Sequence, residues 1–238
     1  MTPIWVEELA ARFWAAAGGP PAVPRDLTAA AMSALPVSVV GLSALHLGGV
    51  RDWLARCRVP CPLEEPDRPL RACLFTWVGV GFVFVDRDDP PDERRFSLAH
   101  EVAHFLRDYD APRRLAAAKL GPGVLDVLDG TRPPTPEERV HAVLRQVPVG
   151  PHAHLLRRDA DGEARTPAER AAEDAADRLA FELLAPAEQL AGERDPRALA
   201  CRLRAEFGLP AGAAGDYAAA LLPAPPTDPF AARLAQFR

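Results

Sequence analysis

The chain has 238 residues, 48% hydrophobic and 26% charged, so it is long enough to bury a core and too apolar to be a disordered chain. Its net charge is −5, from 33 acidic and 28 basic side chains. Direct binding to nucleic-acid phosphates is therefore not expected. The sequence shows no signal-peptide pattern and no run of about eighteen apolar residues, so we expect a soluble, cytoplasmic protein without membrane contacts.

The N-terminal region, residues 1–60, is predicted to be helical. Apolar residues recur at helical spacing over 5–18, and Gly18-Gly19-Pro20-Pro21 ends this helix. A second helical region is expected over about 25–59. It could be a packed helical layer or the helix-turn-helix of a DNA-binding regulator, and the acidic balance of the chain favours the packed layer.

The character of the sequence changes over residues 70–86. Two β-prone runs, Leu70–Val78 and Phe82–Val85, flank Gly79 and Gly81, which predicts a hairpin or a pair of adjacent strands. After a proline-rich turn, a helix is predicted from Glu93 to Asp108.

A further helix is predicted to begin at Thr166 and to end near Leu184. Thr166 can cap it, Pro167 suits its first turn, and Glu169 completes a capping box. Two shorter helices, over about 195–207 and 211–222, should follow it.

The segment between the predicted helices at Glu93–Asp108 and Thr166–Leu184, about 110–165, is irregular and rich in proline. It should contain helical fragments near 113–128 and 136–146. The chain as a whole is predicted to be one compact α+β unit, mainly helical, with a core over 61–187 and a C-terminal helical region over 188–238.

The segment His100-Glu101-Val102-Ala103-His104 contains two candidate metal ligands and a candidate general base. Two histidines four residues apart on a helix lie on one face, so both imidazoles can bind one metal ion. A zinc hydrolase uses three protein ligands and one open position for water. Glu101, next to the first histidine, can act as the general base that takes a proton from the attacking water. The pattern therefore predicts a zinc-dependent protease.

Two positions compete for the third ligand. Asp110 would serve if the chain turned back after the motif, but Arg107 stands where such proteases need glycine. Glu173 lies on the helix that begins at Thr166. Asp177, one turn further, can accept a hydrogen bond from a ligating histidine and fix its tautomer. Glu173 is therefore the better candidate for the third ligand, and Asp177 is the candidate hydrogen-bond acceptor for a ligating histidine.

Three further histidines remain as rival ligands: His141, His152 and His154. Either of the last two could instead donate a hydrogen bond to the tetrahedral oxyanion.

The segments Arg95–Leu106 and Glu173–Pro186 together resemble the ImmA/IrrE metallopeptidases. The resemblance implies a zincin-like core with a small β-sheet, one zinc ion, and His100, His104 and Glu173 as its ligands. It also implies cleavage of a helix-turn-helix transcriptional repressor in a stress or mobile-element response. The span from His104 to Glu173 is longer than the family leads us to expect, so residues of about 110–165 are interpreted as an insert. Because this insert could cover the cleft, a non-catalytic metal-binding sensor or interaction module of the same fold is the alternative function.

Overall fold

The structure is a computed structural model, and it describes residues 2–61, 65–144 and 166–222. Within these ranges the chain is mainly helical, with a small sheet, as predicted. The α-helices are α1 (Ile4–Ala16), α2 (Leu27–Ala34), α3 (Leu47–Arg56), α4 (Pro91–His104), α5 (Ala111–Leu120), α6 (Val124–Leu128), α7 (Pro136–Leu144), α8 (Pro167–Leu184), α9 (Pro196–Ala205) and α10 (Ala211–Leu221).

The sheet has the strands β1 (Val37–Leu42), β2 (Ala72–Trp77) and β3 (Val80–Asp86), in the order β1-β3-β2. β3 pairs antiparallel with β2 and parallel with β1. The predicted hairpin is confirmed. Its two turn residues, Val78 and Gly79, both have positive φ, as tight hairpin turns with the twist of the strands require.

The prediction of a helical region over 25–59 is wrong at β1. Pro36 lies two residues after the end of α2, and the β-branched run after it favours an extended strand over a helix. β1 then lies beside β3 as an edge of the sheet.

Helices cover both faces of the sheet. Leu74 and Val83 belong to the main apolar cluster, which also contains buried residues of α1, α4, α8, α9 and α10. Phe75 and Phe84, the next residues along the same strands, point the other way and pack with α3. α4 therefore packs both against the strands β2 and β3 and against α8.

The helix that carries the histidine motif is longer than predicted. A π-helical segment, Phe105–Asp110, continues α4 and leads directly into α5. Pro112, in the first turn of α5, has no N–H to donate to the preceding turn, and a widened turn accommodates that loss. The predicted helix end at Asp108 is therefore wrong. The continuous helix of α4, the π segment and α5 ends at Leu120, and the next residue, Gly121, has a φ of 89°.

The predicted helix from Thr166 to Leu184 is confirmed as α8. Both halves of the capping box are formed: the Glu169 N–H donates to the Thr166 hydroxyl, and the Thr166 N–H donates to the Glu169 carboxylate. The two shorter C-terminal helices are confirmed as α9 and α10.

Within the proposed insert, helical fragments are present as α5, α6 and α7, while residues 145–165 lie outside the described part of the chain. Among the described residues, no helix is both long enough and apolar enough to cross a membrane.

Candidate metal centre

The site lies where α4 packs against α8. Small buried residues at the contact, Ala103 on α4 and Ala176 and Ala180 on α8, allow the two helices to approach closely. His100 and His104 lie one turn apart on α4, and Glu173 lies on the facing side of α8. A pairing of helices that are distant in sequence therefore assembles the three side chains.

His100, His104 and Glu173 form a compact group of donor atoms. The Nε2 atoms of the two histidines are 3.0 Å apart. One carboxylate oxygen of Glu173 lies 3.2 Å from His100 Nε2, and the other lies 3.7 Å from His104 Nε2. The donor atoms of a tetrahedral zinc site, with bonds of about 2.0–2.2 Å, are separated by about 3.3–3.6 Å. The three side chains therefore fit a single ion of that size with small adjustments.

Each histidine is held by a carboxylate behind it. His100 Nδ1 lies 2.8 Å from Asp177 Oδ1, and His104 Nδ1 lies 2.7 Å from Asp108 Oδ2. An ionised carboxylate only accepts hydrogen bonds, so both Nδ1 atoms donate, and in a neutral ring the Nε2 atom keeps its lone pair and faces the centre of the group. This is the tautomer that a metal-ligating histidine needs.

The electrostatics of the group call for a positive charge at its centre. Two lone pairs and the Glu173 carboxylate would repel one another at these distances. Burial alone lowers the pKa of His100, but its hydrogen bonds to Asp177 and Glu173, together with the charge of Glu101, outweigh burial and raise that pKa to about 10. In the metal-free protein a proton supplies the positive charge; a divalent cation would supply it more strongly.

The group is accessible from one side. The His104 side chain is only 2% exposed, whereas those of His100 and Glu173 are 14% and 20% exposed. Glu101 is buried at 8% exposure and lies close enough to His100 for its charge to act on that ring. A carboxylate beside an accessible metal position is the arrangement that water activation requires.

Asp110, the alternative third ligand, is not part of the group. Its carboxylate lies 3.5 Å from Arg12 and 3.9 Å from Arg114. Burial raises its pKa and the neighbouring arginines partly offset this. The continued helix carries Asp110 past the site, because the chain does not turn back after His104.

The predictions for the other three histidines fall outside what the structure describes. His152 and His154 lie beyond the described residues, and the side chain of His141 does too. An oxyanion-binding role for either of the first two stays a prediction.

Asp108 was missed by the sequence analysis. The signal was present, since Asp108 is four residues after His104 and would share its face on any helix that continued. The predicted helix from Glu93 to Asp108 contains this spacing, but spacing alone does not show which polar side chain on a helix contacts the histidine.

The comparisons with known proteins agree with the motif. Residues 65–122 match the family model Peptidase_M78, described as the IrrE N-terminal-like domain. The resemblance to the ImmA/IrrE family is thereby confirmed over that segment, which includes His100, Glu101 and His104 and ends before Glu173. No curated protein and no solved structure matches the chain.

Proposed function

We propose that the protein is a zinc-dependent endopeptidase that hydrolyses a peptide bond in a protein substrate. The observation that carries this proposal is the convergence of His100, His104 and Glu173 from two helices, with the buried Glu101 beside them. The match of residues 65–122 to a peptidase family model supports it. Imidazole and carboxylate donors suit zinc, although they also accept other divalent metals.

Each residue of the site has a separate role in the proposed reaction. His100, His104 and Glu173 would hold the ion, which when bound supplies Lewis-acid chemistry that polarises a carbonyl and makes water more acidic. Glu101 takes the proton of the attacking water and then delivers it to the nitrogen of the leaving amine. Asp177 and Asp108 keep the imidazoles in the ligating tautomer.

The test is the substitution Glu101→Gln, compared with wild type and with Glu93→Gln. Glu93 lies on the same helix but pairs with Arg71 at the surface, so it controls for the loss of one carboxylate from α4. We expect one equivalent of zinc in all three proteins. Cleavage of an unfolded protein substrate or a peptide library should be lost in Glu101→Gln alone, by a factor of about 100 or more. Wild type that acquires no metal from zinc solutions would contradict the proposal.

For the substrate, we propose a helix-turn-helix transcriptional repressor, so that cleavage would switch on a stress or mobile-element response. The resemblance to the ImmA/IrrE family supports this choice. The repressor encoded nearest to the gene should be cut by wild type and not by Glu101→Gln. Tight binding of that repressor without cleavage, by a protein that holds zinc, would instead identify a non-catalytic metal-binding module. Salt-sensitive binding to duplex DNA would identify a DNA-binding regulator.

A further inference from the structure

Arg107, in the π segment, contacts both sides of the metal centre. Its guanidinium donates to the Asp108 carboxylate, with Nη1 lying 2.9 Å from Oδ1 and 3.2 Å from Oδ2. The same nitrogen donates to the backbone carbonyl of Ala172, on α8, over 3.0 Å. Ala172 directly precedes Glu173. One side chain therefore joins the carboxylate behind His104 to the backbone that carries the third donor.

These contacts form a closed path around the site. His104 is bound to Asp108, Asp108 to Arg107, and Arg107 to the main chain beside Glu173, whose carboxylate returns to within 3.7 Å of His104 Nε2. Displacement of α8 along its axis would stretch the Arg107–Ala172 hydrogen bond. It would also move Glu173 away from the imidazoles.

The two histidines differ in how they are tied to α8. His100 reaches α8 directly, through Asp177. His104 has its carboxylate on its own helix, so that carboxylate reaches α8 through Arg107. Without Arg107, both imidazoles would still face Glu173 and His100 would still bind Asp177, but the main chain beside Glu173 would lose its hydrogen bond to the motif helix.

The surroundings of Arg107 hold its side chain in place. It lies where α1, the π segment and α8 meet, with its guanidinium carbon 5.9 Å from the centre of the Trp5 ring. Its side chain is 27% exposed, and that of Asp108 is 16% exposed. The pair is thus partly shielded from solvent, which distinguishes it from a fully solvated ion pair of negligible strength.

We propose that Arg107 is a positioning residue for the metal centre, which fixes the register of α8 against α4 so that Glu173 meets the two histidines. This inference rests on the proposed metal site. It predicts that metal affinity depends on Arg107 through Glu173. A purely structural role would change the stability of the metal-free protein and leave the intrinsic affinity unchanged.

The test is a double-mutant cycle on zinc affinity, measured by competition with a chromophoric chelator. It uses wild type, Arg107→Gln, Glu173→Gln and the double variant. Arg114→Gln is the matched control, because Arg114 also pairs with an aspartate on the same continuous helix but is exposed and lies outside the site. The visible spectrum of the cobalt-substituted proteins reports ligand geometry independently of turnover.

Arg107→Gln should lower zinc affinity by about tenfold and weaken the tetrahedral cobalt bands, while Arg114→Gln changes neither. In the Glu173→Gln background, Arg107→Gln should lower zinc affinity by less than about threefold, because the donor that Arg107 positions is already lost. Arg107→Lys keeps the charge and one donor, so it should fall between wild type and Arg107→Gln. If Arg107→Gln fails to fold without metal, Arg107→Lys in both backgrounds decides the question.

Wild-type affinity in Arg107→Gln, or an equal loss in both backgrounds, would overturn the inference while leaving the proposed function intact. A wild-type protein that binds no metal would overturn both. The failure of each idea is therefore recognised by a different result.

Discussion

Asp177 and His100 are joined across the helix interface, with Oδ1 of the carboxylate 2.8 Å from Nδ1 of the imidazole. The aspartate lies on α8, one turn after Glu173, and the histidine lies on α4. The same hydrogen bond therefore directs His100 Nε2 to the centre of the site and connects the helix of the two histidines to the helix of the third donor.

Asp177→Asn should lower zinc affinity by about 10- to 100-fold, because a neutral amide holds the imidazole N–H less strongly and leaves the ring less basic. Asp174→Asn removes a charge from an exposed position on the same helix and is the control. Titration of the metal-free proteins with zinc against a competing chelator gives both affinities. Equal affinities for the two variants would show that the Asp177 carboxylate does not support His100.

Asp108→Asn tests the corresponding hydrogen bond of His104, and Asp110→Asn is its natural control. Asp108 lies 2.7 Å from His104, whereas Asp110 pairs with Arg12 and Arg114. Zinc affinity should fall by about 10- to 100-fold in the first variant and stay within about twofold of wild type in the second. The reverse order would favour Asp110 as a ligand.

The candidate donors could be predicted from the sequence because each depends on local periodicity. The spacing of His100 and His104, and that of Glu173 and Asp177, are properties of single helices that any α-helix reproduces. The capping box at Thr166 likewise fixes the start of α8 from adjacent residues. Only the pairing of the two helices had to be assumed.

The parts that escaped prediction depend on contacts between segments distant in sequence, or on an irregular helix. β1 is an edge strand that is stabilised by parallel pairing with β3, more than forty positions away, so the helical residues around it dominated the local pattern. The roles of Asp108 and Arg107 were not predicted for another reason. Both lie within the predicted helix from Glu93 to Asp108 and belong to its π segment, but helical spacing does not show that Asp108 contacts His104 or that Arg107 reaches the carbonyl of Ala172 on α8.

Gly81→Ala, on β3, should destabilise the protein. A Cβ at Gly81 would lie 2.7 Å from the ring of Phe105 and 3.0 Å from a methyl group of Val37. Phe105 is fully buried next to His104 and has little room to move. We expect a loss of about 1–3 kcal/mol in the free energy of unfolding, measured by urea denaturation.

Gly215→Ala, in α10, is the control for that experiment, since no neighbouring heavy atom lies within 4 Å of its added Cβ. Alanine is favoured over glycine inside a helix, so this variant should be as stable as wild type or more stable by up to about 1 kcal/mol. Destabilisation of similar size in both variants would mean that the contact with Phe105 is not the cause.

Glu182→Gln should stabilise the protein near neutral pH, with a gain that grows as pH rises. Burial and the nearby Glu7 and Glu188 raise the pKa of Glu182, and the opposing effects of the Ala187 N–H and Arg25 are smaller. Because the folded-state pKa is above the unfolded value, the folded protein holds this proton more tightly. The group therefore favours folding below its ordinary pKa, and that contribution is lost as pH rises through the folded-state pKa.

Glutamine keeps an oxygen that can accept the Ala187 N–H but carries no charge to desolvate. The difference in unfolding free energy between variant and wild type should thus be larger at about pH 7.5 than at about pH 4.5. Glu8→Gln, at an exposed position on α1, reports the effect of removing one negative charge from the surface. A difference for Glu182→Gln that stayed constant with pH, or that grew on acidification, would show that the fold does not raise the pKa of this carboxyl group.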